Sequence, residues 1–154
     1  MRRFLIIAST LVLVGAACSS DDDGGESPAA GATGGGPVGI TLQEFAVGTV
    51  PATASAGSVT FDIENKGPDD AHEFVIFQTD LEPTDLPTLA NGSVDEEGEG
   101  LTLVDEVEEI EPGDTANLTV DLDAGNYVFI CNIYDEDEQE AHYQEGMRTG
   151  FTVS

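Results

Sequence analysis

Residues 127–147 read YVFICNIYDEDEQEAHYQEGM. The run opens in strict alternation, with Tyr127, Phe129 and Cys131 on one face of an extended strand and Val128 and Ile130 on the other. The last inward residue of that strand is a thiol. A loop too acidic for a core follows, and beyond it come His142 and Met147. Upstream, HEFVIF sets His72, Phe74 and Ile76 on one face of a second strand. Two imidazoles, a thiol and a thioether form the donor set of a trigonal two-His, one-Cys metal site with a weak axial Met.

Composition points the same way, independently of spacing. The chain has two His, two Cys and two Met. Met1 and Cys18 belong to an amino-terminal processing segment, which leaves every other soft donor inside the proposed set. The bland readings are a capped loop histidine for His72, core filling for Met147 and a small buried hydrophobe for Cys131. Thiolate and imidazole would also suit zinc, but zinc gains little from a thioether. Copper uses it.

Outward from this stretch the dominant period is two. Val38, Ile40 and Leu42 alternate with polar or small residues, and the apolar phase then slips to Phe45 and Val47, predicting one strand with a bulge. GSVTFDIEN turns Val59, Phe61 and Ile63 inward. HEFVIF is apolar on both faces after Glu73, as in a central strand covered on both sides. Residues 80–100 carry two prolines, three glycines and seven acids, which predicts a surface excursion with one helical turn over 85–89. LTLVDEVEEI fits strand or helix, NLTVDL alternates, and Phe151 and Val153 mark a last short strand. About seven to eight strands with turns between them predict an all-β, antiparallel Greek-key β-sandwich.

The amino terminus predicts export. Arg2 and Arg3 precede an apolar run from Phe4 to Val14, then Gly15-Ala16-Ala17 and Cys18. That run falls well short of the roughly 20 residues a spanning helix needs, so residues 1–17 read as a signal peptide. Small residues closing on a cysteine resemble the lipobox of bacterial lipoproteins, which implies cleavage before Cys18, its lipidation, and a place on the outer face of the cell membrane. Residues 18–37 are a Gly/Ser/Asp-rich tether unable to bury a core. The folded domain is then 38–154, and Cys131 is left as an unpaired thiol in an exported protein, which a metal would explain.

Formal net charge is −27, from 4 basic and 31 acidic residues. Losing Arg2 and Arg3 would take it to −29, with Lys66 and Arg148 the remaining cations. Nucleic acid is a poor partner for such a surface. A basic redox partner or a high-salt habitat fits, and the chain is expected to be a monomer.

GSVTFDIENKGPDDAHEFVIF and GNYVFICNIYDEDEQEAHYQEGMRTGFTV resemble the first-ligand and closing segments of the cupredoxins. The resemblance implies a cupredoxin-like sandwich holding one type 1 copper, with His72, Cys131 and His142 equatorial and Met147 axial. It further implies electron transfer through an exposed edge of His142, without catalysis, since both histidines are already used. Two features depart from the pattern. Ten residues separate Cys131 from His142, and Glu73 follows the first imidazole where the family often has an Asn tying the ligand strands together. Copper storage or delivery, and a metal-free sandwich acting as an interaction module, are the alternative readings.

Overall fold

A computed structural model describes residues 36–154. The expected signal peptide, Cys18 and nearly all of the expected tether lie outside the described residues. Eleven strands and one short helix follow in order: β1 (Val38–Gln43), β2 (Ala46–Val50), β3 (Thr53–Ala54), β4 (Gly57–Asn65), β5 (His72–Gln78), β6 (Thr102–Ile110), β7 (Thr115–Leu122), β8 (Gly125–Ile130), β9 (Tyr134–Asp135), β10 (Glu140–Ala141), α1 (His142–Glu145) and β11 (Arg148–Val153). Among the described residues no helix is long and apolar enough to cross a membrane.

Two sheets face one another. One has the order β2-β1-β4-β7 and the other β3-β11-β8-β5-β6. Their inner faces carry the alternating residues: Val59, Phe61 and Ile63 of β4 meet Phe74 and Ile76 of β5, Phe129 of β8 and Phe151 of β11 in one core. Phe61 lies at its centre, 5.4 Å from the Phe74 ring, 5.4 Å from Phe129 and 6.1 Å from Phe151, in tilted or edge-on contacts that aromatic quadrupoles favour.

The sheets are mixed, not wholly antiparallel. β1 runs parallel to β4, with Ile40 opposite Ile63, and β11 runs parallel to β3. The slipped phase after Leu42 is likewise not a bulge within one strand. The chain reverses at Glu44-Phe45, and β2 returns antiparallel on β1, with Gln43 opposite Ala46. Phe45 lies at the turn, which is why its phase differs from that of Leu42.

β5 is central, paired with β6 on one side and β8 on the other. Its outer face is covered as well. Val75 and Phe77, with Val128 and Ile130 of β8, pack beneath Leu86, Val94 and Tyr143 in a second core. The excursion over 80–100 therefore folds back as a cover, pinned by a bridge between Thr88 and Val94. It holds turns and no helix: the Leu89 amide, which a helical turn over 85–89 would direct to Asp85, donates to the Ser93 carbonyl at 2.8 Å, and Pro87 disfavours a helical conformation at Leu86. LTLVDEVEEI resolves as the edge strand β6, whose many acids suit a border that must not pair with another chain.

Candidate metal centre

Three donors come from three places. β5 begins at His72, whose ring is fully buried; Cys131 directly follows β8; and α1 begins at His142. The His72 and His142 Nδ1 atoms are 3.3 Å apart, with Cys131 Sγ 3.4 Å from His142 Nδ1 and 3.9 Å from His72 Nδ1. Imidazole nitrogens and a thiolate bound to one ion at about 2.0 and 2.3 Å, spread by about 110–120°, stand roughly 3.3–3.7 Å from one another. The triangle is therefore of the size a single ion spans. All three side chains are buried.

The carboxyl-terminal loop is built to hold this geometry. Its acidic part forms the β9–β10 hairpin, so the ten intervening residues fold back and return the chain beside Cys131. The His142 amide then donates to the Ile133 carbonyl at 3.0 Å, and the Cys131 amide to the Met147 carbonyl at 3.1 Å. Gly146 ends α1 at φ 132°, and a Cβ there would lie 2.9 Å from the Phe45 carbonyl, so a side chain is excluded on both counts. Arg148 donates to the Tyr143 carbonyl at the end of α1, and its guanidinium stacks 5.0 Å from the Tyr143 ring. Met147 is fully buried in the same core as Cys131.

His142 is buried, not edge-exposed: it retains 3 % of its surface, and the Phe45 ring from the β1–β2 turn packs on it at 5.2 Å. That cover joins the chain more than ninety residues upstream, a proximity with no local sequence signal.

Glu73 supplies the strand-to-strand tie expected of an Asn. Its amide donates to Cys131 Sγ at 3.4 Å, and its carboxylate accepts the Asn132 amide at 2.8 Å. Burial pushes this carboxyl up to about 7 despite the Asn132 amide. Asn132 in turn clasps the cover, accepting from the Val94 amide at 2.6 Å and donating to the Val94 carbonyl at 3.1 Å.

Burial raises the Cys131 thiol to about 12, against the Glu73 amide that favours thiolate. It also lowers both histidines below their ordinary value, with the charge of His142 adding to the effect at His72. Near neutrality the site without metal thus holds neutral imidazoles and a protonated thiol. A cation entering it takes the place of the thiol proton.

No protein-family model matches the chain, and no curated protein matches it in sequence. Solved structures do match. A dithionite-reduced auracyanin from the photosynthetic bacterium Roseiflexus castenholzii superposes with a TM-score of 0.54 at 20 % identity, over 75 % of this chain and 94 % of that one. Auracyanin A, a "blue" copper protein from the green thermophilic photosynthetic bacterium Chloroflexus aurantiacus, gives 0.51 at 20 % identity over 77 % and 100 %. Auracyanin B gives 0.50 at 16 % identity over 77 % and 88 %. At these identities the likeness is one of architecture, and the chain has the cupredoxin fold seen in the auracyanins.

Proposed function

We propose that this protein is a one-electron carrier holding a single copper ion between His72, Cys131 and His142, with Met147 as the weak fourth donor. The observation that carries the reading is the buried triangle of two Nδ1 atoms and one Sγ, already at single-ion spacing. The likeness in fold to a "blue" copper protein supports copper over zinc. Bound copper would supply the one-electron couple. The chain's own part is to hold still. Donors fixed by strand pairing, by the α1 turn and by the Glu73 tie have little freedom to rearrange between oxidation states, which keeps reorganisation small.

Burial favours this reading over copper delivery. Handing over a metal ion requires an incoming ligand to reach it, whereas His72 and Cys131 have no exposed surface and His142 keeps 3 %. An electron needs no such opening. Lipidation of Cys18 would hold the carrier at the outer face of a membrane, and the net charge of −27 favours a basic redox partner.

The test is to add Cu(II) to the purified protein and record visible and electron-spin spectra beside Cys131→Ala. The expected result is an intense thiolate-to-copper charge-transfer band in the wild type, reversibly bleached by reductant and missing from the variant. A wild type without that band overturns the copper reading. Mass measurement of the mature amino terminus tests the anchor, and an unmodified Cys18 rejects it.

A further inference from the structure

The β1–β2 turn places an acid against the far side of the His72 ring. Glu44 Oε1 accepts the Asp70 amide at 2.8 Å and the Asp69 amide at 3.3 Å, and it stands 3.6 Å from His72 Nε2. Among the described residues, Glu44 Oε2 and His72 Nε2 are the buried side-chain polar atoms without a hydrogen-bond partner. Two unpartnered groups of opposite character, on residues this close, form an incomplete pair. Two backbone amides aimed at Oε1 are the donors that a carboxylate in this place calls for.

The other ring nitrogen sets the proton's place. His72 Nδ1 points at Cys131 and His142, so donation to a metal requires it bare and the proton on Nε2. Nε2–H then needs an acceptor, and the Glu44 carboxylate is the acid beside it. Resting on the metal reading above, we propose that Glu44 is a positioning residue for the metal centre. Its carboxylate takes the Nε2–H of His72, locks the tautomer that leaves Nδ1 free, fixes the ring plane, and through the same side chain ties down the Asp69–Asp70 loop that leads into β5. Its negative charge, passed through the imidazole, favours the more highly charged oxidation state of a bound ion.

A merely structural role predicts something different. Glu44→Gln keeps, at the Oε1 place, a carbonyl oxygen for the Asp69 and Asp70 amides and beside His72 Nε2, but removes the negative charge and puts an NH2 group in place of the unpartnered Oε2, leaving a much weaker acceptor for Nε2–H. The experiment compares ¹⁵N imidazole spectra of the full chain, metal-free and Cu(I)-loaded, for wild type and Glu44→Gln, with Cu(II) and Cu(I) dissociation constants and the reduction potential for both. Expected are an Nε2–H tautomer at His72 in the metal-free wild type and a shift toward Nδ1–H in the variant. The Cu(II) dissociation constant should rise about 10–100-fold, the usual cost of losing such a partner, with a smaller rise for Cu(I) and hence a higher potential. A bare Nε2 in the metal-free wild type overturns the proposal. So does a variant with the wild-type tautomer and a Cu(II) constant within about twofold of wild type. Should Glu44→Gln fail to fold, the wild-type tautomer alone decides. A wild type that takes up no copper, yet shows the Nε2–H and loses it in Glu44→Gln, upholds the link and overturns the metal reading instead.

Discussion

At the scale of single residues, the chemistry of the site comes from pairs that are remote in sequence. Glu73 shows how. Its amide reaches Cys131 and its carboxylate reaches Asn132, so one residue fastens two strands at the point where both carry donors. Met147 is the opposite case, a side chain whose place is secured by packing and by its own backbone. Met147→Leu conserves volume, so unfolding should show a loss under about 1.5 kcal/mol. The same variant should keep a charge-transfer band while its potential moves, because the axial donor tunes the couple. An unchanged potential would show that the thioether does not bear on the metal.

At the scale of elements, the cover over 80–100 is tied down by side chains beside the site. The Tyr143 hydroxyl donates to the Pro83 carbonyl at 2.9 Å and accepts the Leu86 amide at 3.2 Å, while Asn132 holds Val94 from the next turn of chain. Both tethers start beside a donor residue, since Tyr143 follows His142 and Asn132 follows Cys131. Tyr143→Phe leaves the buried Leu86 amide and the part-buried Pro83 carbonyl without this partner and should cost about 1–3 kcal/mol in denaturant unfolding. Hydrogen exchange should rise mainly over residues 83–96. A double-mutant cycle with Asn132→Ala should give a coupling of at least about 0.5 kcal/mol, and strict additivity would mean that the two ends of the cover open independently.

At the scale of the whole molecule, two properties follow from packing and charge. Phe61 is the point where the two sheets meet, with three rings from the facing sheet around it. Phe61→Ala should therefore cost about 3–5 kcal/mol of stability, and a loss below about 1 kcal/mol would show that the core is not centred there. The other concerns the basic redox partner proposed above. With 31 acids against 4 bases, the rate of association with a cationic redox protein should fall steeply as salt rises. At about 0.15 M ionic strength the screening length is already near 8 Å. Stopped-flow rates independent of salt would point to a surface adapted to saline surroundings.

Periodicity and residue chemistry alone determined that β4, β5, β7 and β8 are strands, which residues of each share a face, and that His72, Cys131, His142 and Met147 are the soft donors. Alternation reports facing directly, and so few such donors leave little choice among them. The convergence of three of those donors to 3.3–3.9 Å was a matter for tertiary structure. So were the reversal at Glu44-Phe45, the parallel pairing of β1 with β4, the burial of His142 under Phe45 and the approach of Glu44 to His72. Each of these joins residues distant along the chain, and such contacts are set by how sheets pair and stack. The identity of neighbouring residues does not encode them.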